Sequence, residues 1–466
     1  MQISEFRQHA HQLVDWMADY LTNLEQYPVR STVQPGDIIG QLPASPPATG
    51  EAFADIFRDF QQVIMPGMTH WQHPAFYAYF PANSSPPSVL AEMLTATLGA
   101  QCMIWQTSPA AAELEERMMH WLAQLCGLPA AWHGVIQDTA STATLCALLT
   151  ARERWTNHRI NEWGFGTEKF AIYGSTETHS SLEKAVKIAG FGRQALRKIA
   201  VDQAFALRPD ELAAAIQRDI AAGIHPLCVV ATVGTTSSTA ADPLRAIGAI
   251  CQQYGAWFHV DAAYGGSAAV LPECRPLFDG LELADSYVFN PHKWMLTNFD
   301  CSAYFVRDKA ALLRTFEIMP EYLKTATDEQ VNNYRDWGVP LGRRFRALKL
   351  WFVLRSYGTD GIQAHIRRHN RLARYFEQAL LADGRFEILA PVNLNLVCFR
   401  YAPGHLAEAE LEVANAQLME RINHSGQAFL SHTRLRGKYT IRAVFGQPTV
   451  EQSHVDQLLG LLREHL

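Results

Sequence analysis

The chain has 466 residues, 48% of them hydrophobic and 18% charged, with a formal net charge of −6. That balance fits an ordinary globular protein with room for two or three domains, and it offers no electrostatic footprint for DNA, RNA or an anionic membrane as partner. No run of about 18 apolar residues occurs to span a membrane, and the eight scattered cysteines, without a CxxC pair, read as reduced core thiols of a cytoplasmic protein.

The opening MQISEFRQHAHQ lacks the basic start and apolar run of a signal peptide. Phe6, Ala10, Leu13, Val14, Met17, Leu21 and Leu24 follow helical spacing and predict an amphipathic helix. Pro28, Pro35, Pro43, Pro46 and Pro47 then mark an extended arm. Such an arm cannot bury its own apolar face, and a partner subunit is one candidate cover. Trp71, Phe76, Tyr77, Tyr79 and Phe80 crowd one segment that suits either ordinary core or an aromatic pocket. Met93 to Ala112, interrupted by Gln101, Gln106, Ser108 and Pro109, reads as a buried helix and loop.

From about residue 86 to 310, short β-branched runs alternate with Ala/Leu-rich helical segments. The runs are GVIQ (134–137), KFAIYGS (169–175), LCVVATVG (227–234), AWFHVDA (256–262) and DSYVFN (285–290). That alternation predicts βαβ units and a mostly parallel sheet. GRRFRALKLWFVLRSYG predicts a long helix, and the tail reads as a smaller α+β domain. The division is then an arm (1–85), a large α/β domain (86–365) and a small C-terminal domain (366–466).

Ligands of an open parallel sheet collect at the carboxyl ends of its strands, so the residues delivered there matter most. GVIQ leads through Asp138 into Thr139, Ala140 and Ser141 at a helix start, which is either a plain N-cap or an anion cradle suited to phosphate. KFAIYGS leads to His179, followed by Ser180 and Glu183 in capping-box spacing. LCVVATVG delivers Thr235 and Thr236, which taken alone are turn chemistry. AWFHVDA delivers Asp261, either a structural ion pair or a partner for a protonated ring nitrogen, with Ala262 and Ala263 leaving room for a flat ligand. DSYVFN delivers Lys293, between His292 and Trp294; a lysine at a low-dielectric strand end becomes a usable nucleophile that can form a Schiff base. A phosphate cradle, an aspartate for a ring nitrogen and a Schiff-base lysine together describe a site for pyridoxal 5'-phosphate.

With these residues in view, the chain resembles the group II pyridoxal-phosphate-dependent amino acid decarboxylases, above all their aromatic-L-amino-acid branch. HPAFYAYFPA, GVIQDTASTATLCALLTAR, HSSLEKA, HVDAAYGGSA, FNPHKWML and GVPLGRRFRALKLWFVLRSYG carry the resemblance over nearly the full length. It implies the aspartate-aminotransferase fold (fold type I) and a homodimer acting on a small amino acid substrate. It implies that Lys293 is the Schiff-base lysine, Asp261 the partner of the pyridine nitrogen, Ala263 the small residue under the ring and His179 the residue stacked on it. Thr139, Ala140, Ser141, Asn290 and His292 match phosphate-side positions, and Thr236 a threonine near the cofactor. YLKTATDEQVNNYRDW (322–337) matches a catalytic lid, with Tyr334 as the tyrosine that returns a proton to the substrate.

The resemblance also places Trp71, Tyr79, Phe80, Ala82, His179 and Gly342 around the substrate. Asp138 and Ala82 stand where animal relatives carry glycine and threonine; a carboxylate beside a phosphate must turn away or meet a donor. The implied activity is decarboxylation of an aromatic L-amino acid to its amine. The rivals are an aromatic aldehyde synthase, a glutamate or 2,4-diaminobutyrate decarboxylase, and a carrier of the cofactor without turnover. His365 and His369 have i,i+4 spacing, but they sit among arginines on what reads as a solvated face with no third ligand, so no metal site is predicted.

Overall fold

The computed structural model describes residues 1–318 and 330–466. It separates into two compact units, 82–374 with 388–398, and 1–81 with 375–387 and 399–466. The tripartite reading differs from this because the residues before 82 and the C-terminal tail share one unit. The reason is visible in the backbone. Tyr77 N–H donates to the Phe429 carbonyl at 2.9 Å, Phe429 N–H to Ala75 at 3.1 Å, and Val444 N–H to Tyr77 at 2.9 Å. A segment whose peptide groups pair with the tail cannot be an independent arm.

The larger unit is built on a seven-stranded sheet. Its strands are β1 (His133–Gln137), β2 (Phe170–Ser175), β3 (Leu196–Ile199), β4 (His225–Thr232), β5 (Trp257–Asp261), β6 (Ser286–Phe289) and β7 (Ser302–Val306), in the spatial order β1-β7-β6-β5-β4-β2-β3. Strands β3, β2, β4, β5 and β6 run parallel, while β7 is antiparallel to both β6 and β1. β2, β5 and β6 are buried throughout, as continuous Val/Ile/Phe runs must be when helices cover both faces. The helix Ala140–Thr156 crosses β4 to β7 on one face, with Ala143, Cys146, Ala147 and Leu148 wholly buried.

The smaller sheet has the order β10-β11-β9-β8, from β8 (Phe386–Ile388), β9 (Leu396–Tyr401), β10 (Ser431–Leu435) and β11 (Lys438–Val444). The predicted first helix is present at Ile3–Thr22 and buries no residue. Ile3, Phe6, Val14 and Leu21 are all exposed.

The long helix expected from GRRFRALKLWFVLRSYG runs from Arg346 to a break at Gly358, whose φ of 62° no helix interior holds. Two sequence expectations are corrected. The Met93–Ala112 segment is no buried helix and loop: the helix Pro86–Leu98 ends within it, and Met93, Leu94 and Leu98 are exposed. His365 and His369 do not lie on a solvated face. Both are buried, and His369 Nδ1 accepts the Trp294 indole N–H at 2.8 Å. No cluster of three potential metal ligands occurs among the described residues. The basic run near 343–346 is likewise neutralised in place: Arg343 pairs with Glu115, Arg344 with Glu92 and Arg346 with Asp300.

Candidate active site

Lys293 sits in the short helix Pro291–Trp294 immediately after β6, its N–H bonded to the Asn290 carbonyl at 2.9 Å. Two further bonds hold this turn on β7. Asn290 Oδ1 accepts the Ser302 hydroxyl at 2.6 Å, and His292 Nδ1 accepts the Cys301 N–H at 2.9 Å. On its other side Trp294 lies between the Tyr264 ring, 4.9 Å away and stacked, and the His369 imidazole. Burial lowers the Lys293 pKa, and the nearby Asp261 carboxylate opposes that shift only in part.

Asp261 ends β5, 5% exposed, with Oδ1 accepting the Ala263 N–H at 2.9 Å. Two residues earlier on the same face of the strand is His259. It is wholly buried between Ser286 Oγ (2.9 Å from Nδ1) and Thr144 Oγ1 (3.3 Å from Nε2), and burial pushes its pKa down to about 4. Sequence reasoning missed His259, although the period of two that placed Asp261 also places it.

His179 lies within electrostatic reach of both Asp261 and Lys293. Burial lowers its pKa, Asp261 raises it and Lys293 lowers it further. The expected Ser180–Glu183 capping box is absent. Ser180 is helical in φ/ψ and caps nothing with its side chain, and Glu183 instead pairs with Arg193 and Lys198. His179 takes the capping role itself, Nδ1 accepting the Ser181 N–H at 3.2 Å and lying 2.8 Å from the Ser181 hydroxyl.

At the start of the helix Ala140–Thr156, Thr139 is the N-cap and its hydroxyl accepts the Thr142 N–H at 3.4 Å. The first N–H groups of the helix, at Ala140 and Ser141, have no intrahelical acceptor and point a partial positive charge outward. Asp138 meets a donor, as a carboxylate there must: Oδ1 accepts the Thr139 N–H at 2.6 Å. His292 is 3% exposed, and burial, with Lys293 adding to it, depresses its pKa to about 3.

The remaining sequence candidates divide. Ala82, Ala263, Thr236 and Gly342 belong to the same unit as Lys293. A Cβ on Gly342 would come 3.2 Å from Gln101 Nε2, the end of a flexible side chain that would have to give by a few tenths of an ångström. Trp71, Tyr79 and Phe80 belong to the other unit, where Trp71 packs on Phe76 at 4.6 Å and on Tyr79 at 5.9 Å. Half of the proposed lid, 322–329, lies outside the described residues, but Tyr334 does not. It is 2% exposed, 5.3 Å from Trp337 and beneath the Arg343 guanidinium at 5.2 Å. Burial raises its phenol pKa well above the ordinary value.

The donor set fits pyridoxal phosphate: a buried carboxylate, a lysine of lowered pKa, a small residue at Ala263 and a helix N-terminus. Comparison with known proteins agrees. Residues 35–402 match the family described as the pyridoxal-dependent decarboxylase conserved domain. The chain is 44% identical to tryptophan decarboxylase 2 of Oryza sativa subsp. japonica, covering 100% of this chain and 95% of the relative. It is equally 44% identical to phenylacetaldehyde synthase of Arabidopsis thaliana, covering 100% and 96%. The crystal structure of Oryza sativa TDC with PLP and tryptamine superposes with a TM-score of 0.97 at 37% identity, covering 100% of this chain and 98% of that one. The chain belongs to the pyridoxal-dependent decarboxylase family and is a PLP-dependent amino acid decarboxylase.

Proposed function

We propose that the substrate is an aromatic L-amino acid, released as its amine and carbon dioxide, and that the Lys293–Asp261–His179 cluster carries the reaction. The electrostatic convergence of these three side chains at the strand ends is the observation that supports this most directly. Pyridoxal phosphate, when bound, supplies an aldehyde for the amino group and a protonated ring that accepts the electron pair left by departing carbon dioxide.

The chain's own residues do the rest. Burial disfavours the charged form of Lys293 and so favours the nucleophilic amine. Asp261 holds negative charge where a ring nitrogen must keep its proton. The free N–H groups of Ala140 and Ser141, with Thr139, Asn290 and His292, hold the phosphate. His179, whose Nδ1 accepts from Ser181, carries its ring proton on Nε2 and presents a donor to the substrate. Tyr334 is kept in its protonated form and returns the proton to the substrate carbon. The homodimer implied by the resemblance belongs to this proposal, and so does a cytoplasmic location.

A second reading, an aldehyde synthase, has its own support in the 44% identity to the Arabidopsis thaliana phenylacetaldehyde synthase. Incubating the PLP-loaded protein with aromatic L-amino acids, glutamate and 2,4-diaminobutyrate, with products identified by mass spectrometry, separates the cases. Aromatic amines support the proposal. Aldehyde with stoichiometric peroxide replaces it with the second reading, and products from glutamate or diaminobutyrate alone overturn the substrate class.

A further inference from the structure

At the opposite end of the sheet from Lys293 is a cavity of about 480 Å³, within the size range of small-molecule sites. It is formed where β4, β5 and β6 begin, where β7 has just ended and where the helix Ala140–Thr156 finishes. Its floor is apolar and buried, made by Leu227, Cys251, Ala256 and Trp257. Trp155, 44% exposed, forms a wall.

The rim is cationic. Asp285 Oδ1 accepts from both Arg154 (3.3 Å) and Arg307, while Oδ2 accepts the Phe258 N–H at 2.9 Å. One carboxylate therefore faces two guanidiniums, which are 51% and 44% exposed. Each guanidinium has five N–H donors and spends only part of them on Asp285. Arg154 also lies over the Trp257 ring at 5.5 Å, so its charge sits directly above the apolar floor.

We propose that this cavity is a second ligand site, taking a flat aromatic monocarboxylate of the arylalkanoate type. The ring fills the floor over Leu227, Cys251 and Ala256 beside Trp155, and the carboxylate bridges the unspent N–H groups of Arg154 and Arg307. A free phosphate would leave the apolar floor wet, and an aromatic amine would bring a cation against two arginines. An aromatic acid without an ammonium group satisfies both parts of the site.

The test is calorimetric titration of phenylacetate into the PLP-loaded wild type, with the cofactor's visible absorption followed in parallel. 2-Phenylethanol, 2-phenylethylamine and inorganic phosphate serve as comparison ligands. Saturable one-site binding is expected for phenylacetate, with no change in the cofactor spectrum and none of the three comparison ligands binding as tightly. Arg154→Gln should weaken it about tenfold, the loss of one charge-assisted hydrogen bond. Gln252→Glu, at an exposed rim position that leaves the core untouched, should weaken it by charge repulsion. No saturable heat overturns the proposal, as does binding that both variants leave unchanged. Tighter phosphate binding, or a perturbed cofactor band, overturns it in favour of a general anion site or the catalytic site.

Discussion

Glu115 and Arg343 face each other inside the larger unit, with Arg343 Nη2 donating to Oε1 at 2.5 Å and both side chains at most 3% exposed. The same Glu115 oxygen accepts the Ile136 N–H at 2.8 Å, and Arg343 also donates to the Ile136 carbonyl at 3.0 Å. The pair thus clamps β1, just ahead of the helix Ala140–Thr156, to the segment that follows Tyr334. Removing one partner strands a buried charge. Glu115→Ala is expected to cost about 3–5 kcal/mol of stability, read from urea unfolding of the holoenzyme. A loss below about 1 kcal/mol would show that the clamp is not held dry.

Asp138 sets a carboxylate beside the helix N-terminus proposed to hold the phosphate. Asp138→Asn keeps an acceptor for the Thr139 N–H and removes the charge. At the separations of neighbouring groups in a protein, that repulsion is worth on the order of 1–2 kcal/mol. The variant should therefore bind pyridoxal phosphate on the order of tenfold more tightly in an absorbance titration of the apoprotein. Unchanged or weaker binding would mean that the carboxylate is screened from the phosphate.

Lys293→Ala should lose measurable turnover yet retain some cofactor, since the phosphate and ring contacts remain. Tyr334→Phe addresses the proton. Without the phenol, the electron-rich substrate carbon is left without its donor and open to dioxygen, so amine should fall while aldehyde and peroxide rise. Product ratios decide this more sharply than rate. An unchanged amine fraction in Tyr334→Phe would assign the proton to another group, with His179 first in line.

Acid should destabilise the fold early. Burial lowers His259 to about 4, His292 to about 3 and His365 to about 3, from an ordinary value of 6.5. Above 6.5 these rings are neutral in both states and the stability is intact. As pH falls from there toward the folded values, the unfolded chain takes up protons that the folded chain refuses. Each histidine then removes about 1.4 kcal/mol per pH unit. Urea midpoints measured between pH 7 and 4.5 should fall steadily, and a flat profile would contradict the burial of these rings.

The strand ends were legible in the sequence because a buried parallel strand announces itself by apolar content, and the residue after it is then easy to name. Asp261, Lys293 and His179 emerged that way, and the structure brings them together. β3 was harder to see: LRKI, edge-exposed and mixed in polarity, carries little periodic signal. His369 was misread by its arginine neighbours, although Ile362, Ile366, Ala373, Phe376 and Leu380 trace one buried helical stripe on which it falls. The capping box at Ser180 failed because a better acceptor, the His179 ring, lay one residue upstream. The pairing of Glu115 with Arg343 joins residues far apart in sequence, and no local pattern reports that.

The antiparallel course of β7 has a consequence for how Lys293 is mounted. β6 and β7 are neighbours in the sheet, so the segment bearing Lys293 is the connection of a hairpin, cinched at its base by Asn290 and Ser302, only 12 positions apart. Closing so short a loop costs far less chain entropy than bringing distant elements together. The perch of the proposed nucleophile is therefore a local object, while Asp261 and His179 arrive by long crossovers. Amide exchange should be slowest at Cys301, whose N–H is locked on His292, and should persist there when the outer strand β3 has already opened.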